Sequence, residues 1–353
     1  MADFIEFSGG GKDVAKSALL PQGARKSEER NPWKRLLADA VRDPDELLRL
    51  LNLPASLLEG ARAAAKRFPL LVPHGFLARM KPGDPDDPLL RQVLPLGAEE
   101  TNVKGYTPDP LAEAKATVLP GLIQKYAGRA LLVTSGACAV NCRYCFRRHF
   151  PYGDIPKGLF AWRPAISRIA ADPSVREVIL SGGDPLVLTD DALERLAKEL
   201  AMIPHVKRLR VHSRLPIVIP ERVDEYLIGW LRGTRLLPIM VVHANHPAEL
   251  SGKCADALER FVHAGIPVLN QAVLLKGVND DADTLAELCE RLIDLRVTPY
   301  YLHHLDQVQG AAHFAVSESR GREIMADLRS RLPGYAVPRY VKEVPGGSSK
   351  VLL

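Results

Sequence analysis

The stretch R-A-L-L-V-T-S-G-A-C-A-V-N-C-R-Y-C, residues 129–145, decides the fold. Its first half, 129–135, is apolar and rich in β-branched residues without polar alternation, the pattern of a strand covered on both faces. A glycine breaks the run, and Cys138, Cys142 and Cys145 follow at once as CxxxCxxC. A buried strand that feeds directly into a reactive loop is the habit of parallel α/β sheets, where chemistry gathers at the carboxyl ends of strands.

Working outward, similar runs recur downstream: REVILS (176–181), RLRVHS (208–213), LPIMVVHA (237–244), IPVLNQAVLL (266–275) and VTPYYLHH (297–304). Helix-like stretches separate them near 160–171, 190–202, 222–232, 249–264, 282–294 and 316–332. Thr189 and Asp190 mark the start of one of these helices. The alternation predicts an α/β fold with a parallel sheet. Its six units are too few for a closed eight-stranded barrel, so the expectation is an open, partial (βα)6 barrel. Upstream, 33–66 reads as charged amphipathic helices, and 68–110, with its prolines and glycines, as a coil-rich wrapping segment. The expected division is an N-terminal helical and wrapping segment over 1–125, the partial barrel over 126–335, and a C-terminal segment over 336–353.

The chain has 353 residues, 46% of them hydrophobic and 25% charged, which excludes a disordered or fibrous protein. No apolar run is long enough to span a bilayer. The start, MADFIEFSGGGKDVAKSALL, lacks the basic and unbroken apolar parts of a secretory signal, so the cytoplasm is the expected location. A net charge of +5 is mild and does not argue for nucleic acid. Cys254 and Cys289 stand alone in helical stretches and read as buried structural thiols.

Three thiolates on one tight loop, with no fourth cysteine nearby, do not make a closed structural zinc site. On a four-iron, four-sulfur cluster they leave one iron open, able to chelate the amino and carboxylate groups of a methionine-containing cofactor. The second strand ends in Ser181-Gly182-Gly183-Asp184, where glycines permit close backbone approach and a carboxylate can accept from an ammonium. Together these features resemble the radical S-adenosylmethionine superfamily. That resemblance implies a [4Fe–4S] cluster on Cys138, Cys142 and Cys145, a turn at 181–184 against the cofactor's amino group, and a 5′-deoxyadenosyl radical as product of the cleavage.

Further motifs narrow the likeness: CFRRHF (145–150), SRLPIVIPER (213–222), HANHPAE (243–249), NQAVLLKGVND (270–280), YYLHHLD (300–306) and PGGSSK (345–350). In this order they resemble the lysine 2,3-aminomutase family over roughly residues 100–353. The family's chemistry moves an amino group from the α to the β carbon of lysine, turning (S)-α-lysine into (R)-β-lysine with the help of pyridoxal 5′-phosphate. The resemblance implies Lys350 as the lysine that anchors pyridoxal phosphate, although G-G-S-S-K read alone is a flexible end. It implies Arg147 for the substrate carboxylate, Asp306 and Glu343 for the distal ammonium, and Arg129 with Lys125 for the cofactor phosphate. His243 and Gln271 match positions near S-adenosylmethionine, and Arg214 lies at another strand end. Read without the family, Asp306 is a cap or loop residue, and Arg147 with Arg148 a surface charge pair.

Departures from the family matter as well. Glu343 stands where an aspartate is usual, which keeps the charge and lengthens the reach by about one methylene. Asp281 stands where clostridial members carry a zinc-binding cysteine, and the sequence runs only three residues past Lys350, so no zinc is expected. The run HHLDQVQGAAHF (303–314) is most similar to the bacterial branch that serves elongation factor P through a separate β-lysine ligase. An electron donor such as flavodoxin or ferredoxin is implied, and a homo-oligomer is compatible. A catabolic or osmolyte-producing role is the alternative pathway. A glutamate enzyme is disfavoured by the acidic pair Asp306 and Glu343, and a nucleic-acid module on Arg143, Arg147 and Arg148 lacks a broad basic face with aromatic platforms.

Overall fold

Ten strands make one sheet in the computed structural model, which describes residues 32–353; the N-terminal stretch read for a secretory signal lies outside the described residues. In chain order the strands are β1 (Thr117–Leu119), β2 (Leu122–Ile123), β3 (Arg129–Ser135), β4 (Glu177–Gly182), β5 (Arg208–His212), β6 (Leu237–Val242), β7 (Val268–Val273), β8 (Thr298–His303), β9 (Arg339–Lys342) and β10 (Val351–Leu352). Their spatial order is the same as their sequence order, and the sheet stays open. From β3 to β9 every neighbouring pair is parallel. All six apolar runs are therefore strands of an open α/β barrel, as expected.

The sheet also extends past those six. β9 adds a further parallel strand beside β8, pairing Tyr301 with Arg339 and His303 with Val341. β1 and β2 fold back antiparallel onto β3, and β10 returns antiparallel along β9. These additions were not predicted because each has only two to four residues, too short for any periodicity to register.

The crossover helices form for legible reasons. Asp190–Ala201 is capped by Thr189, whose hydroxyl accepts from Ala192 N at 3.4 Å, and it buries Leu193, Leu196, Ala197 and Leu200 against the sheet. Each buried leucine contributes about 1.5–3 kcal/mol, against about 1 kcal/mol for the cap, so burial rather than capping holds the helix in place. Asp224, Asp281 and Ser317 cap three later helices in the same way.

Upstream, helices Pro32–Ala38, Pro44–Leu50 and Leu58–Ala65 precede a coil-rich stretch with only short helical turns. This stretch wraps over the cysteine loop: Asn141 Nδ2 donates to Pro69 O (2.8 Å), and Arg143 N to Gln92 O (2.9 Å). Arg79 Nη2 ties it to Ile217 O at 2.6 Å. Among the described residues no helix is long and apolar enough to cross a membrane. Cys254 and Cys289 are buried, as predicted, and burial pushes both thiols up to about 12.

Candidate active site

The loop after β3 carries Cys138, Cys142 and Cys145, all unpaired. It is pressed against the turn after β4. Gly183 N donates to Ser135 O (2.7 Å) and Asp184 N to Ala137 O (2.8 Å). A Cβ on Gly183 would stand 2.4 Å from Ala137 O, and one on Gly182 (φ +137°) 2.3 Å from Ser135 O. The two glycines thus let the 181–184 turn pack on the cysteine loop itself, because no side chain fits between the two backbones.

Asp184 has a different task from the one expected. Its carboxylate accepts from Leu186 N (2.9 Å), Ser213 Oγ (2.7 Å), Arg214 N (2.8 Å) and Leu215 N (3.0 Å). Two oxygens offer about four lone-pair sites, so these partners fill it and leave nothing to accept from an ammonium. It clamps the end of β5 to the end of β4.

That clamp positions Arg214, which is 8% exposed. Its Nη1 lies 2.7 Å from Cys142 Sγ, while Nη2 donates to Gln92 Oε1 (2.6 Å) and Glu249 Oε2 (2.9 Å). Gln92 Oε1 also accepts from Asn245 Nδ2 (3.0 Å) and from the Tyr144 hydroxyl (3.3 Å). Tyr144 reaches His243 Nε2 at 3.2 Å and stacks on its ring at 5.7 Å. Burial, with Arg214 nearby, drops His243 to about 3, so its ring is neutral.

A second polar group gathers around the C-terminal strands. Lys350 Nζ pairs with Glu343 Oε2 and lies 5.9 Å from the centre of the Tyr301 ring. Glu343 Oε1 accepts from Lys125 Nζ at 2.8 Å, and Lys125 also lies 3.1 Å from Glu113 Oε1. Glu113 in turn accepts from one edge of Arg147 through both its oxygens: Nε at 2.7 Å and Nη2 at 2.9 Å. The remaining Arg147 Nη1 donates to Ser181 Oγ at 2.9 Å. Burial raises Glu343, but Lys350 and Lys125 outweigh it and hold the carboxyl at about 2. Asp306 lies beside the same charges; burial and the Glu343 anion push it up to about 7.

Lys350, Glu343, Asp306, Lys125 and Arg147 are thereby brought together, although the first and last are 203 positions apart. The surface-pair reading of Arg147 and Arg148 fails. Arg147 is 6% exposed, and Arg148 is held by Arg143 O and Gly310 O, each at 3.0 Å. Arg147 does not present an open fork either, since Glu113 already occupies it. Gln271 Nε2 faces His212 Nδ1 at 3.4 Å. Arg129 stays exposed at the start of β3, its guanidinium 5.5 Å from the Tyr126 ring. Asp281 caps the helix Ala282–Asp294 by accepting from Thr284 N at 2.8 Å.

The residues suit the groups expected of them. The Cys138 thiol is pushed well up by burial and by the charge of Cys145; Cys145 is raised to about 11 by burial and Cys142. Half-buried thiols whose charges oppose one another call for a positive group between them, which is what a cluster's irons supply. Among the described residues no three His, Cys, Asp or Glu side chains converge on a single-ion site. Three thiolates that each bind a different iron need wider spacing than that. On the other side, Arg210 Nε and His212 Nε2 on β5 are buried without a partner. Burial and the nearby cations Arg210 and Lys350 keep His212 neutral. Unused donors beside an amine and several cations fit an anionic cofactor such as a phosphate ester.

Sequence reading missed Glu113, Gln92 and Glu249. Glu113 follows Ala112, which is forced to φ +49°, and only its 3% exposure marks it out. Gln92 had a signal: it is a lone amide inside the apolar run PLLRQVLPL (88–96). Glu249 sits three residues after His246 in a capping box, a pattern readable from HPAE.

No family model matches the chain. It is 50% identical over 326 residues to the L-lysine 2,3-aminomutase of Escherichia coli (strain K12), covering 92% of this chain and 95% of that protein. The Haemophilus influenzae L-lysine 2,3-aminomutase is 45% identical, covering 95% and 98% respectively. The same-named protein of Clostridium subterminale is 35% identical, covering 91% and 77%. With identities this high over nearly the whole of the first two relatives, the chain belongs to the L-lysine 2,3-aminomutase family of enzymes.

Proposed function

We propose that this protein converts (S)-α-lysine to (R)-β-lysine using a [4Fe–4S] cluster, S-adenosylmethionine and pyridoxal phosphate. The observation that carries the reading is that one barrel holds both the three-thiol loop and the Lys350–Glu343–Asp306 group. When bound, the cluster with S-adenosylmethionine supplies the radical for hydrogen abstraction, and pyridoxal phosphate supplies the aldehyde and electron delocalisation that let nitrogen migrate.

Cys138, Cys142 and Cys145 would hold the irons. The Ser181–Gly182–Gly183 backbone, His243 and Gln271 would border S-adenosylmethionine, with Asp184 supporting them from behind. Lys350 would carry pyridoxal phosphate, and Lys125 with Arg129 would face its phosphate. The substrate carboxylate would meet Arg147 on its Nη1 edge, where Ser181 now accepts. Asp306 and Glu343 would receive the distal ammonium. At neutral pH Asp306 is about half protonated, so the arriving cation completes its ionisation. Glu343 is already ionised and loses a partner when Lys350 is engaged elsewhere.

The setting we propose is cytoplasmic, with a flavodoxin or ferredoxin as reductant, β-lysine passing to a ligase that modifies elongation factor P, and self-association compatible with these roles. The test is an anaerobic assay of reconstituted protein with labelled lysine, S-adenosylmethionine, pyridoxal phosphate and dithionite. Labelled β-lysine is the expected product. Iron and pyridoxal both bound without β-lysine would contradict the aminomutase reading.

A further inference from the structure

We propose that Arg214 is a positioning residue that raises the electron affinity of the iron–sulfur cluster through Cys142, and that Gln92 and Glu249 hold it there. The inference rests on the reading of the three loop cysteines as cluster ligands.

The sulfurs are not equivalent. The Cys145 sulfur has the backbone N–H of Arg147 and, at longer range, the charges of Arg147 and Arg148, whereas Cys142 has a cation in direct contact, with Arg214 Nη1 at 2.7 Å. That guanidinium cannot swing away. Nη2 is held by Gln92 Oε1 at 2.6 Å and Glu249 Oε2 at 2.9 Å, and the Phe76 and Tyr144 rings flank it at 5.5 and 5.7 Å. Its backbone N–H is fixed by Asp184.

A donor to a thiolate ligand withdraws electron density from the iron, and a cation at that distance stabilises the extra negative charge of the reduced cluster. Glu249 opposes this effect, but it bonds Nη2 while the sulfur meets Nη1, so the charge in contact with the sulfur is the cation. The pair therefore presents its positive end to the sulfur. Gln92 comes from the coil-rich segment upstream of the sheet, so that segment contributes to the cluster's environment as well as covering it.

The test is an EPR-monitored redox titration of anaerobically reconstituted protein, without S-adenosylmethionine or lysine, with iron content measured in parallel. In Arg214→Gln, at about four irons per chain, the reduced-to-oxidised ratio at a fixed potential should fall about tenfold, or 59 mV for one electron. Arg214→Lys keeps the charge and loses the fork, and Gln92→Met keeps the arginine and loses one anchor. Each should shift the ratio in the same direction by a smaller factor, and they serve if the glutamine variant does not fold. Iron-loaded variants with the wild-type potential would overturn the inference and leave the cluster reading intact. A wild-type chain that takes up no iron would overturn both.

Discussion

Around the cysteine loop most buried polar groups bond one another, with Arg214 Nε and the His313 ring nitrogens left over among the described residues; around Lys350 the site leaves donors unused and a carboxyl poised near neutrality. Gln92, Arg214, Glu249, Asn245 and Tyr144 form a bonded set whose geometry needs no visitor. Arg147, Lys125, Lys350, Glu113, Glu343 and Asp306 instead crowd three cations against three carboxyls, with Arg210 Nε and His212 Nε2 unpartnered nearby. The first region is a scaffold finished in advance. The second suits the ligands proposed for it, which bring their own charges: a phosphate, a carboxylate and an ammonium.

The contrast can be broken at its extremes. Removing a proposed cluster thiol in Cys138→Ala should cost at least about a thousandfold in β-lysine formation, roughly 4 kcal/mol of transition-state stabilisation. Activity within tenfold of wild type would remove the cysteine loop from the chemistry. Next in size is Glu113→Gln, which leaves Arg147 buried without its counter-charge and Lys125 with Glu343 alone. Breaking such a pair costs about 3–5 kcal/mol, read as a lower urea midpoint, and a higher KM for lysine should accompany it. An unchanged midpoint would make Glu113 a bystander.

A pH profile sharpens the contrast further. Asp306 titrates at about 7, raised above the usual carboxylate range, so its anion is lost as pH falls through that value. The KM for lysine should climb below pH 7 by up to about tenfold per unit, while His243, already neutral with a value of about 3, adds nothing in this window. A flat KM between pH 6 and 8 would take Asp306 out of ammonium binding. The smallest effect belongs to Glu343→Asp, which keeps the charge and shortens the reach. It should change KM by about threefold without altering the iron content.

Most of the barrel was legible because its six runs are long, apolar and bounded by caps such as Thr189. β9 was not, since RYVK (339–342) is short and amphipathic. The cysteine spacing announced one half of the site. What joins the halves was hidden, because Glu113 meets Arg147 across 34 positions and Gln92 meets Glu249 across 157, and no local pattern encodes such pairs. Asp184 shows the opposite hazard: a motif carboxylate that looks free in sequence is saturated by its own fold.

The most direct measurement is borohydride trapping of the pyridoxal phosphate-loaded protein followed by peptide mapping. The pyridoxyl group should be found on Lys350, and Lys350→Ala should abolish both the label and the imine absorbance. A label on Lys125 or Lys342, or an imine band that survives in Lys350→Ala, would contradict the assignment of the charged region around Lys350 as the cofactor half of the site.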